Sequence, residues 1–302
     1  MKRLAPLAVL LAGCATVPAG PGPRIAITID DLPVHGPHPE SMDANAANLA
    51  MIAALRSAGV QGTHVFVNGA SLEQHPGTIA ALEAWDAAGI PIANHGWAHR
   101  NLNDMPVAEF ERELALNEPL LQRFGPPDGW RWFRYPFLAE GDDPAKKLAA
   151  RAVLARRGYR VAGVSMDFSD WKWTAPYARC ADAGDEAAIA ELERSYLDAA
   201  QASLVAKRKL GRDLYGRDIP HVLLLHVSAF SARMMPRLLA LYRRAGVRFV
   251  SLAEAHSDPA YREDLDPTLP PRPQFIADRA APLGVEVPAE PDFTARLEAV
   301  CR

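Results

Sequence analysis

A chain of 302 residues, 49 % apolar and 23 % charged, can bury a core the size of one α/β barrel or of two smaller domains. Its formal net charge of −3 and the lack of any basic cluster in its body argue against nucleic acid as the main partner.

Met1-Lys2-Arg3 leads into an apolar stretch, Leu4 to Ala12, that is too short to span a bilayer, and Leu11-Ala12-Gly13-Cys14 has the form of a lipobox. Residues 1–13 resemble a bacterial lipoprotein signal, which implies export and a membrane anchor on a lipidated Cys14. A cleaved signal peptide with an incidental cysteine is the plainer alternative. Residues 14–23, rich in Pro and Gly, read as a flexible tether. Export would put Cys180 and Cys301 in an oxidising compartment, where they can pair and staple the Pro-rich end of the chain to the body.

The body alternates strand-like and helical patterns. The β-branched run Ile25 to Ile29 is a strand that ends on Asp30-Asp31, and a helix from Asp43, as N-cap, to Ala58 stops at Gly59. Strand 64–67 and helix 72–88 follow, then the run Gly89-Ile-Pro-Ile-Ala93, which delivers Asn94-His95-Gly-Trp-Ala-His99. Helix 107–124, strand 130–135, helix 144–157 and strand 159–165 lead to the polar segment 167–173. A long helix, 186–210, strand 221–225, helix 232–245 and strand 247–250 complete seven βα units. That count predicts an α/β fold with a parallel, barrel-like sheet, and the competing topology is a doubly wound open sheet. Beyond about Asp258 the chain is Pro-rich and aperiodic, and reads as a tail wrapped on the surface.

Asp30 and Asp31, His95, Arg134, Asp167 and Asp170, and His226 all fall at carboxyl ends of these strands, the face on which barrels gather catalytic groups. Two adjacent acids at a buried strand end repel, and need a cation, a basic partner or a shared proton. The two imidazoles four apart would share one face of a helical turn. With Asp31 they form a three-ligand site with an open position, suited to Zn²⁺ and open to other first-row divalent metals. A metal there would polarise a carbonyl and acidify water, leaving Asp30 to take a proton and Arg134 to pair with Asp30. His226 has the character of a general acid toward a leaving amine.

The set Thr28-Ile-Asp30-Asp31, His95-x-x-x-His99, Arg134-Tyr-Pro136-Phe137, Asp167-x-x-Asp170-Trp171 and Leu223-Leu-Leu-His226 resembles, in order, the five motifs of polysaccharide deacetylases, the carbohydrate esterase family 4 or NodB-homology domain. The resemblance covers roughly residues 24–255 as a catalytic domain, with 256–302 as a tail packed on it. It implies a distorted (β/α)7–8 barrel that hydrolyses an N-acetyl group on an amino-sugar glycan. It also implies Asp30 as general base, Asp31, His95 and His99 as metal ligands, and Arg134 as the group that orients the base. His226 would be the general acid and Asp170 its partner. A backbone N–H near Phe137 would join the oxyanion site, and Trp171 with Leu224 or Leu225 would enclose the acetyl methyl.

Three departures bear on the substrate. Leu32 stands where the family usually has Gly, Val227 follows His226 where an acid is common, and the segment between Trp173 and His221 is longer than the fold needs. His35, His38 and His64 are further candidate ligands, and of Trp130, Trp132, Trp171 and Trp173 only Trp171 is expected at the site. Two other readings stay open: hydrolysis of a small non-sugar amide or imide, and a lipoprotein that binds glycan without turnover.

Overall fold

The computed structural model describes residues 22–125, 129–273 and 275–302. The lipoprotein-type segment 1–13 and Cys14 lie outside them, as does all but the end of the tether. Seven strands are all parallel: β1 (Arg24–Leu32), β2 (His64–Val67), β3 (Ile92–Asn94), β4 (Trp132–Phe133), β5 (Arg160–Val161), β6 (His221–His226) and β7 (Arg248–Val250). Between them run α1 (Ala44–Ser57), α2 (Ala70–Gln74), α3 (Ile79–Ala87), α4 (Val107–Gln122), α5 (Pro144–Arg156), α6 (Thr174–Asp182), α7 (Glu186–Tyr215) and α8 (Ala229–Arg244). After β7 come α9 (Leu252–His256), α10 (Arg262–Leu265) and α11 (Thr294–Ala299).

The strand order is β5-β4-β3-β2-β1-β6, with β7 on the first residues of β1. Past β5 the chain crosses to the far edge: Met166 bridges Leu223 in parallel, and the N–H of Leu224 donates to Met166 O at 3.0 Å. The two edges of the curled sheet thus meet, which is the distorted barrel the sequence predicts and not the open doubly wound sheet.

Strand periodicity decides which side chains face inward. Ile25, Ile27 and Ile29 belong to the outer core with Val65, Val67 and the surrounding helices. Ala26 belongs to a second cluster with Phe66, Ala93, Trp132, Ala162 and Val222. Thr28 and Asp30 share the parity of Ala26, so β1 turns a carboxylate into the barrel mouth.

Several elements differ from the sequence reading for local reasons. The helix expected over 72–88 breaks into α2 and α3, because Pro76 lacks the N–H that would continue the first. Helix α6 forms over Thr174–Asp182, between the polar segment and the long helix, where the sequence reading placed no element. Strand β5 stops at Val161 because the Gly163 N–H donates to His256 Nε2 at 3.1 Å and not to a strand, and a Cβ on Gly163 would lie 2.2 Å from Asp264 Oδ2. The chain beyond Asp258 also does more than wrap the surface: Ala260, Tyr261, Ile276 and Ala280 sit in the inner cluster. Cys180 on α6 is disulfide-bonded to Cys301, and Arg179 donates to the carbonyls of Leu297 and Val300, so the end of the chain is fastened to α6. Among the described residues no helix is long and apolar enough to cross a membrane.

Candidate active site

Register brings the two halves of the site together. Asp30 of β1 lies opposite His226 of β6, and Asn94 of β3 lies opposite Phe133 of β4, so that His95 and Arg134 emerge side by side. The His95–His99 segment is a bend and not the helical turn expected from its spacing: Gly96 has φ +74° and His99 φ +50°. Buried amides hold that bend. Asn68 donates to the carbonyls of His95 and Gly96, Asn94 accepts from the Gly96 N–H, and Asn117 donates to Val67 O and Asn94 Oδ1. Glu113 accepts from the Ala98 N–H at 2.7 Å.

Asp31 leaves strand geometry, with φ +64°, and turns its carboxylate back toward the two imidazoles. Its Oδ1 lies 3.2 Å from Nε2 of both His95 and His99, and the donor atoms of the three residues fall within 4.8 Å of one another. The His95 Nδ1–H donates to the carbonyl of Arg134 at 2.8 Å, which leaves the lone pair of Nε2 for the shared point. Burial, with the neighbouring His95, pushes the His99 imidazole down to about 4, so His99 is neutral at physiological pH. Despite burial, partners led by His35 hold the Asp31 carboxyl well below the usual carboxylate range. The Oδ1 atom is buried with no hydrogen-bond partner. One anionic oxygen and two imidazole lone pairs converging on one point fit a divalent metal, with Zn²⁺ suited to the donor set.

Beside this cluster, Arg134 is fully buried. Its Nη1 donates to Asp30 Oδ2 at 3.2 Å, its Nη2 to Thr28 Oγ1 at 3.1 Å and its Nε to Ala162 O at 2.6 Å. Thr28 passes its own proton to Leu223 O, so the guanidinium is fixed at three points and Asp30 by it.

On the other side, His226 Nδ1 lies 2.7 Å from Asp170 Oδ1, and Asp170 Oδ2 accepts from the His226 N–H and from Ser231 Oγ. Burial alone would lower the His226 imidazole, but Asp170, helped by Asp31 and Asp30, outweighs it and raises it to about 10.

These groups face one cavity of about 350 Å³ whose lining includes Asp30, Asp31, His95, His99 and His226. Phe137, Trp171 and Leu224 line it, with Phe137 64 % and Trp171 45 % exposed at its rim. Trp130, Trp132 and Trp173 are buried in the core. Leu32 is buried as the last residue of β1. His64 sits at the start of β2, with Nδ1 3.4 Å from Gly62 O, and neither it nor His38 lines the cavity. His35 does.

The sequence reading singled out no role for Tyr135, Thr28 or Ser231. Tyr135 lines the cavity with a buried, unpartnered hydroxyl, while Thr28 and Ser231 brace Arg134 and Asp170. Thr28 was readable from strand parity with Asp30; Ser231 lies on a helix, and no local pattern marks it.

The family model described as polysaccharide deacetylase matches residues 18–161, a span holding Asp30, Asp31, His95, His99 and Arg134. Compared with curated proteins by sequence, the chain finds no match. Solved structures share its fold at low identity. A mutant of a CE4 family pseudoenzyme with restored enzymatic activity aligns at 14 % identity and TM-score 0.54, over 78 % of this chain and 67 % of that one. A peptidoglycan N-acetylglucosamine deacetylase aligns at 18 % identity and TM-score 0.51, over 78 % and 90 %. The chitin deacetylase of the fungus Colletotrichum lindemuthianum aligns at 20 % identity and TM-score 0.52, over 80 % and 91 %. The chain thus resembles polysaccharide deacetylases in sequence over residues 18–161, and shares a fold with solved members of the carbohydrate esterase 4 group.

Proposed function

We propose that this protein is a metal-dependent N-deacetylase of an amino-sugar glycan of the cell envelope, such as peptidoglycan. The observation that carries the reading is the arrangement around one cavity: a carboxylate held by a buried guanidinium on one side, a cationic imidazole on the other, and a three-donor metal site between them.

A divalent metal held by Asp31, His95 and His99 supplies Lewis-acid polarisation of the acetamide carbonyl and acidifies water. Asp30 accepts the proton of the water that attacks the carbonyl carbon, and Arg134 fixes the orientation of that carboxylate. His226, protonated and aimed by Asp170, donates a proton to the amide nitrogen. The carbon–nitrogen bond then breaks, giving acetate and a free amine. Trp171 and Leu224 wall the end of the cavity that takes the acetyl methyl.

A long substrate is supported by the shape of the cleft. A second cavity of about 370 Å³ shares Phe137, Leu138 and Asp167 with the first and is bordered by Pro273, Phe275 and Asp278 of the C-terminal segment. A small amide would leave that extension empty. We therefore take residues 24–255 as the catalytic domain and 256–302 as the segment that adds a wall to its cleft. The Cys180–Cys301 disulfide supports a location outside the cytoplasm, with anchoring through Cys14 as part of the same proposal.

The test is acetate release from N-acetylglucosamine oligomers and peptidoglycan by the Zn²⁺-loaded protein. Wild type should release acetate and Asp30→Asn should not, while glycan binding persists in the variant. Equal binding with no release by wild type would sink the enzymatic reading.

A further inference from the structure

His35 takes no part in the scheme above, yet it touches both halves of the site. It stands in the turn after β1 with its side chain 24 % exposed, and its Nδ1 lies 2.6 Å from Oδ2 of Asp31. Its ring packs on that of His226, with centroids 4.9 Å apart.

The turn that delivers it is braced from below. Pro33 is buried, and its carbonyl accepts from Asn48 Nδ2 on α1 at 2.9 Å; Asn48 in turn accepts from the Trp85 indole on α3 at 2.7 Å. Beyond His35 the chain turns at Gly36, φ +65°, where a Cβ would meet the Thr174 methyl at 2.9 Å. His35 is thus presented on a supported turn.

The two oxygens of Asp31 therefore differ. Oδ2 is taken by His35, and Oδ1 is left unpartnered between the Nε2 atoms of His95 and His99. Asp31 has positive φ and lies between Ile29 and Leu32 of β1, where the register against β2 shifts, so regular strand pairing does not set the direction of its carboxylate. The hydrogen bond from His35 supplies that constraint.

We infer that His35 is a positioning residue of the metal centre: its Nδ1–H holds the Asp31 carboxylate with Oδ1 turned toward the two histidines. This rests on the reading of Asp31, His95 and His99 as metal ligands.

The test is the dissociation constant for Zn²⁺, measured on the metal-free protein by competition with a chromophoric chelator. Wild type should bind one equivalent, and His95→Ala should abolish tight binding. His35→Ala should bind about 10- to 100-fold more weakly, the loss expected when a partner behind a ligand is removed. His35→Asn keeps an N–H donor at the same distance from the backbone as Nδ1, and should recover affinity to within a few-fold of wild type. Thermal unfolding of the metal-free proteins should be nearly unchanged, since the Pro33–Asn48–Trp85 brace is left intact. If wild type binds no metal, the ligand reading itself fails. If wild type binds and His35→Ala binds equally well, or if the Asn variant is as weak as the Ala variant, the positioning role is overturned.

Discussion

Asp170→Asn isolates the contribution of a single charge at this site. The His226 imidazole stands at about 10 because the Asp170 carboxylate, the first of the groups that raise it, outweighs burial. The substitution keeps the shape of the side chain. Its carbonyl oxygen can still accept from the His226 N–H and from Ser231 Oγ, as Oδ2 does now, while its NH₂ faces His226 Nδ1. An amide there donates to Nδ1, which moves the imidazole proton to Nε2 in the neutral ring. With the carboxylate gone, burial dominates, and the imidazole should titrate at or below its ordinary 6.5. That is a fall of more than three pKa units, on the order of 4 to 5 kcal/mol at 1.36 kcal/mol per unit. At about pH 7.5 the cationic fraction drops from nearly all to about a tenth or less. Nitrogen NMR of labelled histidine in the metal-free protein reads the titration directly. In the metal-loaded enzyme kcat/KM should fall at least tenfold near neutral pH and recover in part toward pH 6, where the imidazole regains its proton. A bound cation opposes the help that Asp31 and Asp30 give His226, so the loaded wild type should titrate below the metal-free value. If His226 in the variant still titrates near 10, or the pH profile of the variant parallels that of wild type, Asp170 does not set the protonation of this imidazole.

Three further outcomes test the C-terminal segment and the barrel interior. Phe275→Ala, which strips the aromatic wall of the second cavity, should raise KM for N-acetylglucosamine tetramers several-fold and leave turnover of a small acetate ester unchanged; equal effects on both substrates would show that the extension does not hold substrate. Asp264 is 2 % exposed, its Oδ2 has no hydrogen-bond partner, and burial raises its carboxyl to about 7. The folded state thus holds this proton more tightly than the unfolded chain, so its ionisation costs stability as pH rises from about 4 to 7. Asp264→Asn should therefore melt higher than wild type by a margin that grows from about pH 5 to pH 8, and a pH-independent difference would contradict this. Cys301→Ser opens a link between residues 121 apart in sequence, and loop-closure entropy puts the loss at up to about 5 kcal/mol. Thermal unfolding of the oxidised proteins measures it, and an unchanged Tm would mean that the segment is held by its other contacts alone.

The convergence of the candidate site residues was legible in the sequence because strand arithmetic carries it. Period-two alternation puts Thr28 and Asp30 on one side of β1, parallel pairing sets Asp30 against His226, and the shared register of β3 and β4 brings out His95 with Arg134. Each is a consequence of short-range spacing plus the rule that catalytic groups collect at the carboxyl ends of parallel strands. The start of α1 was legible too, from its capping residue: Asp43 accepts from the Ala46 N–H as expected.

What escaped the sequence depends on tertiary contacts. His95-x-x-x-His99 has helical spacing, yet the amides of Asn68, Asn94 and Asn117 offer its backbone better partners than a helix would, and the chain bends. Strand β5 has the residues to run on, but His256 and Asp264, about a hundred positions later, occupy the ground beside Gly163.

The intrusion of the C-terminal segment at Gly163 also has a consequence for function. The inner surface of a barrel this short must be filled, and here Tyr261 and Ile276 of the C-terminal segment do part of the filling. The same segment, one residue from Ile276, sets Phe275 at the border of the cleft. Core packing and substrate wall are then one structure: the apolar burial that seats Ile276 and Tyr261 also fixes where Phe275 stands relative to Phe137 and Asp167. Relatives that fill the barrel differently would have a different wall at this point, even with the same Asp, His and Arg residues at their strand ends. On the proposed function, the strand ends set the reaction, and a segment whose sequence shows no periodicity sets the reach of the cleft.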